Sequence, residues 1–450
     1  MRILLINPWI TDFAAFDLWI RPLGLLYTGA FLRMRGHDVR LVDCLDRYHD
    51  GDENPVGVER THHTGSFPAE VIPTPRPLAH VHRRYRRYGL APDAFDAAVM
   101  DGTRPDVVCV TCLMTYWYPG AFAAIERIRE LLPDVPIMLG GVYPSLCPDH
   151  AQAHSGADMV ISHGSPKGIV VAADALAGLH GDGPMPGESF SEWPEPAWEL
   201  YRSLPAATLM TSRGCPLRCD VCASHLLTGT YERRDPADAV HALLRLADRG
   251  VRDIAFTDDA LLIDPDRHAV PLFEMLADAG APVRLHSPNG LHVREITPTL
   301  ARIMRRGGLV TVRLSLETAD ESRAATFSGK VDRDDFRRAT AALTAAGYGP
   351  GEMGAYILAG LPGQEVGEVL DTARFAHGCG VPVKPALFSP VPGTKSYDDA
   401  VRSGMIPVDA DPLMHNNTIR TEDWFPDGAD GYQAFRNEIS RMNGTLPADA

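Results

Sequence analysis

Three cysteines stand close together in the segment "TSRGCPLRCDVCAS", residues 211–224: Cys215, Cys219 and Cys222, spaced CxxxCxxC. Thiolates at such short spacing are typical of zinc or iron-sulfur sites. A structural zinc ion and an ordinary iron-sulfur cluster each require four protein ligands. The three cysteines therefore leave one coordination position for a more distant ligand or for a substrate.

The other five cysteines are scattered along the chain: Cys44, Cys109, Cys112, Cys147 and Cys379. Eight cysteines in 450 residues are too few for a disulfide scaffold, so a cluster favours metal binding or catalysis. Cys109 and Cys112 lie in "DVVCVTCLM", whose β-branched apolar pattern predicts a buried strand. We interpret both as core residues, because free cysteine packs as a small apolar side chain.

The composition is that of a globular protein, with 45% hydrophobic and 22% charged residues. The 43 basic residues against 58 acidic residues give a net charge of -15. Such a charge argues against nucleic acid or an anionic membrane as a partner. The opening run "MRILLINPWI" is broken at Asn7, too early for a signal segment, and no later run has membrane-spanning length. The sequence therefore predicts a cytoplasmic location.

The first 165 residues alternate apolar runs with helical patterns, which predicts a Rossmann-like parallel sheet. The predicted strands are at 2–7, 38–43, 106–114, 136–141 and 157–164. A Pro-rich and Gly-rich insertion at about 44–100 interrupts the pattern and contains the run "RRYRRY". That run could bind nucleic acid or an anionic substrate, but in so acidic a chain a solvated or salt-bridged face is favoured. Residues 166–205 are predicted to be a linker.

From residue 206 the alternation resumes, and six strand-helix units predict a barrel or partial barrel over residues 206–400. The predicted strands are at 207–212, 252–257, 283–287, 311–316, 353–360 and 383–389. A tail follows at 401–450, and we expect its aromatic residues to pack rather than to contact substrate. Function in such barrels lies at the carboxyl ends of the strands.

Polar or glycine-rich elements follow each predicted barrel strand, beginning with the cysteine run. The others are Asp258 and Asp259, then Asn289, then Glu317, and the turns at 360–364 and 389–394. Any one of these could be a cap or a plain turn. Their shared placement predicts one site at one rim.

The CxxxCxxC run directly after the first barrel strand resembles the radical S-adenosylmethionine (radical SAM) superfamily over residues 205–400. The resemblance implies a (β/α)6 partial TIM barrel in which the cysteines hold three irons of a [4Fe-4S] cluster. SAM would bind the fourth iron and be cleaved reductively to a 5'-deoxyadenosyl radical. By position, Asp258, Asn289, Glu317 and Gly360 would contact SAM. One departure is Val221, because the residue before the third cysteine is usually aromatic in this superfamily.

The preceding sheet resembles the cobalamin (B12)-binding domain of B12-dependent radical SAM enzymes, through "PLGLLYTGAFLRMRGHDVRLVD" and "PIMLGG". The resemblance places the nucleotide tail near Thr115, Tyr116, Gly140 and Gly141. The corrin would lie near three further residues: Asn7, Pro22 and Leu23. The DxHxxG motif of many cobalamin proteins is absent. Cobalamin would therefore bind without a protein histidine below the cobalt, or the domain has lost the corrinoid and serves as a scaffold or a substrate lid.

Three hypotheses follow from these patterns. The first is a cobalamin-dependent radical SAM methyltransferase acting on an unactivated carbon of a small molecule or peptide, with a one-electron reductant such as flavodoxin or ferredoxin. The second is a radical SAM enzyme without functional cobalamin that performs cyclisation, epimerisation, dehydrogenation or rearrangement. The third is a non-enzymatic metal-binding module whose fourth ligand is a residue such as His225 or a distant cysteine.

Overall fold

The computed structural model of the protein describes residues 1–447 except for residues 50, 52–54, 180, 328 and 330. The chain divides into two compact units. The first unit comprises residues 1–205 and 411–415, and the second comprises residues 206–410 and 416–450.

The first unit contains a five-stranded parallel sheet. Its strands are β1 (Arg2–Asn7), β2 (Asp38–Asp43), β3 (Val107–Cys112), β4 (Ile137–Gly141) and β5 (Met159–Val160). The strand order is β5-β4-β3-β1-β2, and Ile3 on β1 lies opposite Val39 and Val107. All residues of β3 are buried, as expected for a strand covered on both faces, and Cys109 and Cys112 belong to this core. The predicted Rossmann-like sheet is confirmed.

Helices connect the strands of this sheet. They are α1 (Leu23–Met34), α2 (Pro92–Met100), α3 (Tyr118–Leu131), α4 (Val142–Leu146), α5 (Pro148–His154) and α6 (Pro166–Ala177). The last of these lies in the segment predicted as a linker. Ser165 caps α6 by accepting a hydrogen bond from the Gly168 amide at 3.1 Å. Further along, the Trp193 ring contacts Tyr27 and Phe31 on α1 at 5.2 and 5.4 Å between centroids, so this segment packs on the first unit.

The insertion at 44–100 folds onto the loop that follows β1, although its residues 50 and 52–54 lie outside the described residues. Two small antiparallel sheets form there, one from Ile10–Asp12, Arg86–Tyr88 and Ala69–Val71, the other from Phe16–Asp17, Gly65–Ser66 and Val58–Glu59. Tyr85 and Tyr88 of the "RRYRRY" run are buried, and Arg87 pairs with Glu70. The run thus contributes to a β-sheet and a salt bridge rather than to a stacking surface for bases.

The second unit contains six parallel strands in sequential order. They are β6 (Ala206–Leu209), β7 (Asp253–Phe256), β8 (Arg284–Leu291), β9 (Leu309–Glu317), β10 (Met353–Ala359) and β11 (Val383–Leu387). This arrangement confirms the predicted (β/α)6 partial barrel. β8 extends four residues beyond its predicted end at 287, so Asn289 lies within the strand rather than after it.

The helices of the second unit follow the strands in turn. They are α7 (Ser224–Thr228), α8 (Pro236–Asp248), α9 (Ala269–Ala279), α10 (Pro298–Arg306), α11 (Glu321–Ala324), α12 (Arg333–Ala345), α13 (Val366–Gly378), α14 (Lys395–Arg402), α15 (Arg420–Asp423) and α16 (Gly428–Asn443). Side-chain oxygens of Asp235, Thr297 and Asp332 cap α8, α10 and α12. In the tail, the Trp424 indole donates to the Gln364 carbonyl at 2.9 Å, and Phe425 packs against Tyr432.

Among the helices that the structure describes, none combines the length and the apolar character needed to cross a bilayer.

Candidate functional site

The three cysteines lie in a loop that begins just beyond the carboxyl end of β6. Ser212–Arg213 pairs in antiparallel register with Glu232–Arg233, which closes the loop at its base. Within the loop, the Cys222 amide donates to the Cys219 carbonyl at 3.0 Å. The cysteine run therefore forms a closed, turn-containing loop at the carboxyl rim of the barrel.

The spacing of the thiols distinguishes between the possible metal centres. The pKa of Cys215 is raised by burial and further by the Cys222 and Cys219 thiols, so the three groups lie within electrostatic reach. Within the described residues, however, the three sulfur atoms are not all within 4.8 Å of one another. One tetrahedral zinc ion with bonds of about 2.3 Å would hold them about 3.8 Å apart. A multi-iron cluster binds each thiolate to a different iron, so this donor set fits the cluster better than zinc.

Apolar packing supports the loop on one side. Cys219 and Val221 pack against a buried cluster that includes Phe327, Leu361 and Phe388. Val221 thus makes a core contact at the position where the resemblance leads us to expect an aromatic residue.

Polar contacts of Asp220 fix the same loop. Its amide donates to the Thr326 carbonyl and its carbonyl accepts from the Ser396 amide, each at 3.0 Å. Its carboxylate pairs with the Lys395 ammonium at 2.6 Å. Segments that follow β9 and β11 therefore hold the cysteine loop in place.

Asp258 follows β7 and turns inward beneath the cysteine loop. Its Oδ1 accepts from the hydroxyls of Thr211 and Ser212, each at 2.7 Å, and its carboxylate also accepts from both backbone amides. Burial raises the pKa of Asp258 to about 6. Because β6 ends at Leu209, these two amides leave the strand ladder and need another acceptor. Asp258 therefore braces the loop, and its contact with SAM stays a prediction.

His268 extends this buried network and was missed in the sequence. Its Nε2 lies 2.8 Å from the Thr211 hydroxyl, which already donates to Asp258, so Nε2 carries the hydrogen and donates. Burial and the Arg233 charge lower the pKa of His268 to about 4, which keeps the ring neutral. A histidine directly before α9 gave no signal of this contact, because nothing in the sequence brings it to Thr211.

The remaining predicted SAM contacts lie at the same rim. The Asn289 amide donates to the Asp258 carbonyl at 3.2 Å, which joins the ends of β7 and β8. Glu317 ends β9 with a φ of +63°, just after a register shift against β10. A non-glycine residue in this left-handed region is uncommon and often marks a functional position. Gly360 directly follows β10 with a φ of +87°. Direct SAM contacts by these three residues remain predictions.

His292 follows β8 and is a second residue that the sequence did not reveal. It is buried, and its Nε2 lies 4.0 Å from the Cys215 sulfur. Hydrogen bonds to ligand sulfurs tune the reduction potential of iron-sulfur clusters. His292 is therefore a histidine that the structure brings to a cysteine of the triad.

At the carboxyl edge of the first unit's sheet, Asn7 and Asp43 form a buried pair. The Asn7 side-chain amide donates to Asp43 Oδ1 at 2.6 Å, and the Tyr201 hydroxyl donates to Asp43 Oδ2 at 2.6 Å. Burial raises the pKa of Asp43. Pro22 and Leu23 lie at the start of α1. Contacts of Asn7, Pro22 and Leu23 with a corrin stay predictions.

The turn after β3 holds two further cobalamin candidates. Thr115 and Tyr116 are both buried, and the Thr115 hydroxyl lies 3.1 Å from His415 Nδ1. Residues 411–415 thus return to the carboxyl edge of this sheet. A direct role of Thr115 and Tyr116 in binding a nucleotide tail stays a prediction.

The paired glycines at the end of β4 show whether the backbone there leaves room for a corrinoid. Gly141 has a φ of +105°, and a Cβ there would lie 2.6 Å from the Cys112 carbonyl oxygen, so only glycine fits. A Cβ at Gly140 would meet no atom within 4 Å. The backbone at Gly140 is therefore open to an approaching ligand, as a nucleotide tail at this edge would require.

Two family models match the chain. Residues 209–376 match the Radical SAM superfamily, and residues 81–166 match the B12 binding domain. The first match begins in β6 and spans the cysteine loop; the second contains Thr115, Tyr116, Gly140 and Gly141.

Among known proteins, the chain is 24% identical over 331 residues to an uncharacterized methyltransferase of Pyrococcus horikoshii, covering 67% of this chain and 71% of that protein. It is 24% identical over 376 residues to the cytidylyl-2-hydroxyethylphosphonate methyltransferase of Streptomyces wedmorensis, covering 70% of this chain and 65% of that protein. Among solved structures, it resembles TsrM, a radical SAM methyltransferase of Kitasatospora setae with cobalamin and a [4Fe-4S] cluster bound. The TM-score is 0.66 at 15% identity, covering 99% of this chain and 89% of that chain, which shows a shared fold.

Proposed function

Because the chain belongs to the radical SAM superfamily and carries a B12 binding domain, we propose that it is a cobalamin-dependent methyltransferase of an unactivated carbon in a small molecule or peptide. The observation that carries the proposal is the coexistence, in one chain, of a three-thiolate loop on a barrel rim and a parallel sheet of B12-binding type. A one-electron donor such as flavodoxin or ferredoxin would be its redox partner.

When bound, the cluster supplies the electron for reductive cleavage of SAM to a 5'-deoxyadenosyl radical, and cobalamin supplies a carrier for a methyl group. The residues of this chain bind and position these groups. Cys215, Cys219 and Cys222 would hold the cluster and leave one iron for SAM. Asp258 fixes the backbone that leads into their loop. The apolar packing around Cys219 excludes water from that side of the loop.

The experiment is product analysis after anaerobic purification and cluster reconstitution. We expect bound corrinoid, and with SAM, a reductant and the methyl-accepting substrate, we expect both 5'-deoxyadenosine and S-adenosylhomocysteine. Cys222→Ala should lose iron, sulfide and both products. Cys379 lies at the end of α13, outside the cysteine loop. The matched control Cys379→Ala should therefore keep the iron, the sulfide and both products.

A second candidate is radical chemistry without functional cobalamin. It is supported by the internal hydrogen bonds that already engage Asn7 and Thr115 at the predicted corrinoid edge. Deoxyadenosine in the absence of both corrinoid and S-adenosylhomocysteine would favour this candidate. Absence of any SAM-derived product from a cluster-loaded enzyme would refute both.

A further inference from the structure

The inner face of the barrel can be identified from the alternation along β10. Ala355 and Ile357 are fully buried, whereas Gly354 and Tyr356 point to the opposite face. The Tyr356 hydroxyl donates to the Pro288 carbonyl at 2.9 Å, and Pro288 lies on β8, with β9 between the two strands. A side chain spans an intervening strand most directly across the concave side of a curved sheet. Gly354 and Tyr356 therefore face the interior of the barrel.

Two basic side chains converge on this face over Gly354. Arg313 on β9 lies opposite Gly354 in the strand register, and Lys384 on β11 lies opposite Tyr356. A Cβ at position 354 would be 2.8 Å from Lys384 Cε and 3.3 Å from Arg313 Cδ. The two cations therefore meet above the one residue of β10 that has no side chain.

The partners of Arg313 among the described residues are neutral groups. The Arg313 guanidinium donates to the main-chain carbonyls of Val312 and Glu352, at 3.3 and 3.2 Å, and also to the Tyr356 hydroxyl, which carries no charge. Over the described part of the chain, neither Arg313 nor Lys384 forms an ion pair with an acidic side chain. The pKa of Lys384 is lowered by burial and by the Arg313 charge, and burial also lowers the pKa of Arg313.

Two neighbouring positive charges without an opposite charge raise the free energy of the folded protein. The chain has 58 acidic residues, yet none that the structure describes forms an ion pair with either cation. A bound anion would remove the repulsion and would be held by an arginine fork, which matches the geometry of carboxylate and phosphate groups. Lys384 is accessible to solvent, so a ligand can reach it.

We infer that Arg313 and Lys384 form a binding site for the acidic oxygen group, a carboxylate or a phosphonate or phosphate, of the substrate. Glu317 lies at the carboxyl rim, and Arg313 precedes it by four residues on the same strand. Arg313 is therefore roughly 13 Å from the rim along the strand. A small extended molecule anchored there by its acidic end would bring its other end to the rim that carries the cysteine loop. The assignment of this ligand as substrate rests on the proposed function, whereas the anion site itself does not.

The test measures binding of acetate, methylphosphonate and neutral acetamide to the cluster-loaded protein by calorimetry. We expect both anions to bind and acetamide not to bind. Lys384→Gln should weaken anion binding at least tenfold, and Lys384→Arg should restore it. A preference for methylphosphonate would identify a phosphonate or phosphate substrate, and a preference for acetate would identify a carboxylate.

A second variant separates geometry from charge. Gly354→Ala keeps both cations but pushes them apart, so it should also weaken anion binding about tenfold. Gly367→Ala on α13, where a Cβ meets no atom within 4 Å, is the matched control and should bind anions as the wild type does. Unchanged affinity in both Lys384→Gln and Gly354→Ala, or equal binding of acetamide, would overturn the inference.

The same preparations separate this inference from the proposed function. SAM-derived products from a wild type that binds neither anion would overturn the anion site and leave the proposed function standing. Anion binding in a wild type that yields no SAM-derived product would disprove the proposed function and leave the anion site standing.

Discussion

Replacing Asp258 by alanine tests the claim that this carboxylate supports the cysteine loop. The substitution removes the acceptor of hydrogen bonds from the hydroxyls and amides of Thr211 and Ser212. It also removes a buried negative charge, whose cost is seen in a pKa raised from 3.8 to about 6. The two effects have opposite signs, so the prediction depends on their sizes.

The four hydrogen bonds lost with the Asp258 carboxylate cost about 1.5 kcal/mol each, or roughly 6 kcal/mol. Relief of the buried charge returns about 3 kcal/mol, because a pKa unit corresponds to 1.36 kcal/mol. The net loss is therefore about 3 kcal/mol. For a domain of this size it should lower the thermal midpoint of the barrel unit by about 6–12 °C.

The dependence on pH sharpens this prediction. The folded-state pKa of Asp258 lies above its ordinary value, so the folded protein takes up a proton as pH falls from 7 towards 4 and gains stability. Asp258→Ala lacks this gain. The stability difference between wild type and variant should therefore be about 1 kcal/mol larger at pH 5 than at pH 7.

The assay is anaerobic thermal unfolding together with iron and sulfide analysis. Asp259→Ala is the matched control. Within the described residues, the Asp259 carboxylate accepts a side-chain hydrogen bond from the Ser224 hydroxyl only. We expect Asp259→Ala to lower the midpoint far less than Asp258→Ala. Equal losses in the two variants, or a difference that narrows at pH 5, would refute the bracing role.

Three further predictions concern other parts of the two units. His292→Phe should lower the midpoint potential of the cluster by about 50 mV in an anaerobic redox titration, because it removes about 1 kcal/mol of hydrogen bonding to Cys215. His292→Gln can still donate a hydrogen bond and should keep the potential close to that of the wild type. Gly141→Ala should destabilise the first unit, because its Cβ would clash with the Cys112 carbonyl oxygen. Gly140→Val should keep the thermal midpoint but reduce the amount of corrinoid bound. Unchanged corrinoid content would contradict the proposal that the nucleotide tail approaches the backbone at Gly140. Lys395→Gln should lower the thermal midpoint by less than 2 °C, because its ammonium is mostly exposed.

The strand segments and the position of the cysteine loop could be predicted from the sequence because both depend on local patterns. Apolar runs of four to nine residues separated by helical periodicity determine a parallel α/β fold, and the cysteine run directly follows one such segment. The α6 helix was missed because glycine and proline dominate the residues that follow it. The small sheets of the insertion were missed because pairings such as Ile10 with Tyr88 join strands far apart in sequence.

The sequence could place Asp258, Glu317 and Gly360 at one rim but could not determine the direction of a side chain. Asp258 turns inward for a reason that appears only in three dimensions: β6 ends at Leu209, and the next backbone amides then lie beside β7. Contacts between distant segments, such as Thr211 with His268, leave no periodic signal. Position after a strand thus indicates where a site lies, and local hydrogen-bond demand decides which residues can face a ligand.

The same reasoning separates the two kinds of charge inside the barrel. Asp258 is buried and accepts its hydrogen bonds from the chain itself, so it stabilises the fold. Arg313 and Lys384 are crowded together, and no carboxylate among the residues that the structure describes forms an ion pair with them, so their repulsion is not offset there. Removing an internally satisfied charge should cost stability, whereas removing an unsatisfied one should relieve repulsion. We therefore expect Lys384→Gln to keep or raise the thermal midpoint while it weakens anion binding, the reverse of the pattern for Asp258→Ala; a large fall in the midpoint would show that Lys384 serves the fold rather than a ligand.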